Sequence, residues 1–351
     1  MAYATIADAS ANFQSTKYTG SSSSVTVTNE GNSNLQPDLI WVKRLNGSND
    51  HNIFDTNRGL ENRQWPNLAG SSTTGANGIT SITDGFTTGT YYGDVNSNGN
   101  TFTSWQWKGN GGTNSTNNTG SITSYVQANT AAGFSIVKWT GTGSNGTVGH
   151  GLGVAPDFIL FKNYTAAENW TTYHSIFGNS GGMYLNLTND FNTASSWYQD
   201  TSPTSSSFYV GTNSKTNGGT MVAYCFANIK GYQQSGKYIG NGTSSSGTFV
   251  YTGFRPAYAL LKRKANGGGV WAIKDYRRPG HNQVTGRLDA NDADAENVDH
   301  VCEFFGNGFR VMDGGSALNG NGEEYFYYAV ADQSIVSTNN LPSNAGVMKA
   351  E

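Results

Sequence analysis

The sequence predicts an all-β protein built from three tandem sandwich units, and three observations carry that prediction. The first is a proline followed by an apolar run and a lysine. It reads Gln36-Pro37-Asp38-Leu39-Ile40-Trp41-Val42-Lys43-Arg44, then Ala155-Pro156-Asp157-Phe158-Ile159-Leu160-Phe161-Lys162-Asn163, then Arg255-Pro256-Ala257-Tyr258-Ala259-Leu260-Leu261-Lys262-Arg263. The prolines lie 119 and 100 residues apart. The second is an Asn-Gly step before an aromatic strand, beginning at Asn98, Asn217 and Asn321, which are 119 and 104 residues apart. Two independent motifs at nearly one period identify an array of domain-sized repeats. The third is composition: 46 of 351 residues are glycine, 13% are aromatic and only 13% are charged. Aromatic and β-branched stretches separated by Gly, Asn, Ser and Thr are the make-up of strands and turns.

Each unit opens on a short aromatic strand ending in glycine: Tyr18-Thr19-Gly20, Trp139-Thr140-Gly141, and either Tyr251-Thr252-Gly253 or Tyr238-Ile239-Gly240. A Ser/Gly/Asn loop leads to the proline, which lacks a ladder donor and so suits the start of a strand. The apolar runs after it are too short for a typical helix and read as buried strands. An alternating strand follows, Trp170-Thr171-Thr172-Tyr173-His174-Ser175 matching Val270-Trp271-Ala272-Ile273-Lys274-Asp275 and Asn52-Ile53-Phe54-Asp55. Next comes a strand containing Phe86, Phe208 or Phe309, and the Asn-Gly turn then predicts a hairpin into the closing strand. Five or six strands per unit, with frequent turn signals, suit a sandwich or small barrel. The expected units are 1–115, 116–229 and 230–333, with 334–351 as a short extended tail. Residues 289–299 are the best helical candidate, short and acidic.

A net charge of −3 argues against nucleic acid as the main partner. No apolar run approaches the roughly 20 residues of a spanning helix, so no membrane insertion is expected. Residues 1–13 lack a basic start followed by an apolar core, so no signal peptide is expected. Cys225 and Cys302 have no metal or redox spacing and read as buried reduced thiols.

Chemistry is sparse. Asp38 and Asp157 occupy equivalent positions, but the third copy has Ala257, so these acids read as hydrogen-bonding groups at the start of a strand. Glu323 and Glu324 read as a solvated turn tip. His51, His150, His174, His281 and His300 share no spacing with a nucleophile, so no catalytic triad is expected. Asp289, Asn291, Asp292, Asp294 and Glu296 crowd hard oxygen ligands into eight residues and form a weak calcium candidate; otherwise no cofactor is expected. Flat rings stack on the apolar faces of sugars. Trp65, Trp197 and Tyr198 lie outside the repeated strand positions and are the candidate glycan contacts, while Trp41, Trp105, Trp139 and Trp271 are assigned to core.

Several of these motifs are familiar together. The aromatic-Thr-Gly strand, the proline run, Phe54-Asp55-Thr56-Asn57-Arg58-Gly59, Thr83-Asp84-Gly85-Phe86 and Asn98-Gly99-Asn100-Thr101-Phe102 resemble a repeat of tailed bacteriophages of marine and freshwater bacteria, cyanophages included. Gly149-His150-Gly151-Leu152-Gly153-Val154-Ala155-Pro156 and Gly247-Thr248-Phe249-Val250-Tyr251-Thr252-Gly253 continue the likeness, which covers residues 13–333. The resemblance implies a non-enzymatic virion structural protein with lectin-like or jelly-roll-like sandwiches, displayed on the particle as a tail fibre, baseplate appendage or adhesin. It brings no catalytic residues. Its implied partners are other tail, baseplate or capsid proteins and host-surface polysaccharide; a homo-oligomer stays open. It also implies assembly in the host cytoplasm. The alternatives are a capsid decoration protein without a receptor role and a surface-polysaccharide depolymerase.

Overall fold

The computed structural model describes residues 5–75, 78–90, 92–278, 282–332, 335–336 and 342–343. Almost every described element is a strand, and the named ladders between strands are antiparallel. The α-helices described, Gly93–Asn96, Ser195–Tyr198 and Ser214–Asn217, are single turns.

Each larger sheet draws its strands from one continuous stretch of chain. In the first stretch the order is Phe13–Thr19, Thr101–Trp107, Leu39–Arg44, Asn52–Asp55, beside a small sheet of Val25–Val27, Gly85–Thr88 and Ile79–Ile82. The second repeats that order as Phe134–Thr140, Thr220–Phe226, Phe158–Asn163, Thr171–His174, with further strands added at both edges to make eight. Its small sheet is Gly146–Gly149 with Ser207–Val210. The third runs Gln233–Ile239, Glu324–Ala331, Pro256–Arg263, Trp271–Asp275, Leu288–Asp289, beside Thr248–Tyr251, Gly308–Met312 and Val301–Phe305.

Why the proline strands are apolar throughout follows from what covers them. In Leu39-Ile40-Trp41-Val42, Ile40 and Val42 face the small sheet with Phe86 and Phe102, while Leu39 and Trp41 face the other way. Successive side chains point to opposite faces, so a strand covered on both sides cannot alternate apolar with polar. The outward set meets its counterparts from the other two units in one aromatic core: Leu39, Phe158 and Tyr258; Trp41, Leu160 and Leu260; Trp105, Tyr224 and Tyr328. The three tandem units therefore share one core. The three main sheets close around a common centre, where residues from all three line a cavity of only about 10 Å³. That is barely the volume of one water, and its walls offer no charged group.

The repeated lysines lock this arrangement. All three are buried, and each donates to a carbonyl of a different unit: Lys43 to Ala293 at 3.0 Å, Lys162 to Ala69 at 2.8 Å and Lys262 to Thr188 at 2.9 Å. First reaches third, second reaches first and third reaches second, so the contacts form a cycle. Rings follow the same sense. Trp170 Nε1 donates to the Trp65 carbonyl and Trp271 Nε1 to that of Tyr184, each at 2.8 Å. Trp105 Nε1 reaches Asp275 at 2.9 Å and Tyr224 Oη reaches Asp55 at 2.7 Å.

Several local expectations change. The closing strand does not form a hairpin with the strand before it, because Gly85–Thr88 pairs in the small sheet and Thr101–Trp107 in the main one. The connection crosses between sheets through Gly93–Asn96 and is held by asparagine. Asn96, Asn217 and Asn319 each accept one backbone amide and donate to two carbonyls, so these are the equivalent asparagines rather than Asn98, Asn217 and Asn321. The glycines that end the opening strands lie against that turn. A Cβ on Gly20, Gly141 or Gly240 would come within 2.4 Å of its backbone, which selects Tyr238-Ile239-Gly240 as the third copy. Residues 289–299 form no helix; Leu288–Asp289 is a strand, a turn follows it at Ala290 and Asn291, and Asn297 bridges Arg287. The expected tail lies outside the described residues except for Ile335–Val336 paired with Pro342–Ser343.

Candidate functional site

Several titratable groups are buried. Asp55 and Arg58 form a fully buried pair at 2.5 Å, and Asp275 and Arg278 form its equivalent at 2.6 Å. The second unit has His174 and Phe177 at those positions, with ring centroids 5.8 Å apart. Burial holds the imidazoles of His51, His150 and His174 below the usual histidine value. His150 accepts the Leu152 amide at Nδ1, which leaves Nε2 to donate to the Thr204 carbonyl. His300 pairs with Asp313 at 2.9 Å, and His281 lies outside the described residues. Both thiols are buried; burial raises both, that of Cys302 to about 11. A thiol so raised is no nucleophile at neutral pH.

The acids of the proline motif are bonded as local braces. Asp38 accepts the Gly109 and Gly111 amides and the Thr56 hydroxyl, while Asp157 accepts the Asn228 amide and the Ser175 hydroxyl. Glu324 is not a free turn tip, since it bridges Lys237 at 2.6 Å and Lys264 at 2.7 Å. The calcium candidate does not converge. Asn291 accepts the Trp271 amide, Glu296 pairs with Arg278 at 3.0 Å and Asp289 pairs with Arg287 at 3.3 Å. Among the described residues no three His, Cys, Asp or Glu side chains group as metal ligands would.

Two of the three candidate glycan contacts are interior. Trp197 and Tyr198, each 2% exposed, belong to the core between the two sheets of the second unit, against Tyr184 and Phe161. Their single-turn helix folds inward, so lying outside the repeated strands did not place them at the surface. Trp65 is half-buried, with the Arg63 guanidinium 4.6 Å from its ring and 4.4 Å from that of Tyr92. A groove of about 540 Å³ lies where residues 184–192 meet Gly267 and Gly268. Asp190 accepts both of those amides, so this groove is a seam between the second and third units.

Tyr125 of the second unit is also exposed, but the exposed aromatics that stand together lie on the outer face of the third unit's small sheet. Phe249 is 43% exposed and Tyr251 58%, while Val250 between them is buried. Across the strands Phe249 stands opposite Arg310 and Arg310 opposite Glu303; in the next row Tyr251, Gly308 and Phe305 align. Phe249 and Phe305 have centroids 5.9 Å apart over Gly308, where an added Cβ would be 2.9 Å from the Phe249 ring. Arg310 lies 5.2 Å from the Phe305 centroid and 3.4 Å from the Glu303 carboxylate. The fold does not require these rings. The buried Val-Phe pair of this sheet recurs as Val27–Phe86, Val148–Phe208 and Val250–Phe309, whereas the position of Phe249 is Thr26 in the first unit and Thr147 in the second. Comparing the outward positions of the three copies would have exposed this face from sequence.

The family model for a domain of unknown function (DUF7483) matches residues 8–334. The chain belongs to this family. The match spans all three units, so a DUF7483 domain here is the whole threefold body rather than one repeat. A search among curated proteins finds no match.

Proposed function

We propose that the chain is a non-enzymatic structural protein of a tailed-phage particle, displayed at its surface as a tail-fibre or baseplate component that meets host-surface glycan. The observation that carries this reading is the closed threefold body: one chain builds, from three copies of a sandwich, what three subunits of a trimer would otherwise build. Such a body is rigid and presents loops outward from a shared core, which suits a displayed module. The neutral buried histidines and the buried thiols agree with a role in assembly rather than chemistry. The resemblance of the repeats to phage virion proteins supplies the setting.

The test is proteomics and reconstruction of purified particles. Peptides of this chain at stoichiometric level, with its density at the tail or baseplate, would support the reading. Density spread over the capsid lattice would make it a decoration protein. Absence from the particle would remove the proposal.

A further inference from the structure

We infer that the outer face of the third unit's small sheet is a binding platform for a neutral pyranose, with the exposed Phe249 and Tyr251 as the stacking residues, Phe305 as a side wall tilted 60° to Phe249, and Arg310 with Glu303 as the hydroxyl-binding edge. This rests on the proposed function only for the origin of the sugar, as host-surface glycan.

Chemistry selects the ligand. A pyranose ring presents a C–H face and a rim of hydroxyls. It needs a flat aromatic surface next to groups that both donate and accept. Phe249 and Tyr251 project from one face of one strand, two residues apart, and Phe305, its ring tilted 60° to that of Phe249, walls one side across Gly308. The Arg310 guanidinium and Glu303 carboxylate, on neighbouring strands, supply a planar donor fork and an acceptor beside these rings. Because the two charges cancel, the edge has no net attraction for an acidic polysaccharide, which favours a neutral one.

The other two units provide a control within the molecule. They keep the inward Val-Phe pair and replace Phe249 by threonine, and Arg310 by Thr87 or Tyr209. The same sheet therefore forms without these exposed side chains. The second unit keeps only Tyr209 on this face and the first unit no aromatic among these paired positions, so the pair Phe249 and Tyr251, beside Phe305, is particular to the third copy and points to recognition rather than folding.

The experiment uses the full chain in affinity electrophoresis through gels carrying dextran, mannan, galactan, or the extracted neutral polysaccharide of the host, with alginate as the acidic comparison. The expected result is retardation by at least one neutral polymer and not by alginate. In the Phe249→Thr/Tyr251→Thr double variant the apparent affinity should fall at least tenfold with an unchanged melting temperature, and Trp65→Ala should keep wild-type retardation. No retardation in any neutral gel, or retardation unaltered by the double variant, would overturn the inference. So would a wild-type dimer in sedimentation that the double variant dissociates, since the face would then bind protein. Particle proteomics is read separately, so failure of the virion assignment leaves the binding result standing.

Discussion

The ammonium of Lys162 donates to the carbonyl of Ala69, joining the second unit to the first through a contact 93 residues apart in sequence. Its counterparts at Lys43 and Lys262 complete the cycle. A buried carbonyl left without its donor costs about 1–3 kcal/mol. The Ala69 carbonyl is part-buried, so Lys162→Met should lower the unfolding free energy by about 1 kcal/mol or more, read by chemical denaturation. A loss indistinguishable from zero would mean that the lysine does not hold the units together.

These lysines also predict a pH dependence. Burial lowers the ammonium pKa, to about 8 for Lys43, Lys162 and Lys274 and to about 7 for Lys262, with nearby carboxylates opposing the shift. An unfolded lysine keeps its proton to about 10.4. Between those values the unfolded chain binds more protons, so stability rises with pH from about 7 towards 10. The neutral buried histidines act with the same sign below pH 6.5, because the unfolded chain then takes up protons that the folded one excludes. Denaturation at pH 6, 8 and 9.5 should give increasing unfolding free energies; a flat or falling series would contradict the assignment.

Asp55→Ala leaves Arg58 buried without its counter-charge and removes the acceptor of the Tyr224 hydroxyl. Breaking a buried pair from one side typically costs about 3–5 kcal/mol. Asp55→Leu/Arg58→Leu should cost less than Asp55→Ala, because no lone charge remains and the second unit already manages with His174 and Phe177. Thermal melts of the two variants decide the order.

Trp197→Ala should cost about 3–5 kcal/mol, the cost of removing a large ring from a packed core. Trp65→Ala removes a half-exposed ring and a cation–π contact of about 0.5–1 kcal/mol, besides its packing, and should cost clearly less. Equal losses would contradict the placement of one inside and the other at the rim.

The repeats made the strands legible, because a proline at the start of an apolar run identifies the same strand three times. What the runs could not show was why both of their faces are apolar. One sandwich needs only one face of Leu39–Arg44, and the outward Leu39 and Trp41 were the sign of a second core. The crossing between sheets was hidden because Asn98-Gly99 has the chemistry of a hairpin turn, while the asparagine that holds the crossing is Asn96. Trp197 and Tyr198 were misplaced because a ring outside a repeated strand can still fold inward. Phe249 and Tyr251 were overlooked for the opposite reason: they sit within a strand, and only comparison with Thr26 and Thr147 marks them as outward.

The measurement that tests the central claim most directly is differential scanning calorimetry of the full chain. Three units around one core predict a single transition whose calorimetric and van't Hoff enthalpies agree, displaced as a whole to lower temperature by Lys162→Met. Three separable transitions, or a substitution that shifts one and spares the others, would show that the units fold as independent sandwiches and that the shared core does not couple them.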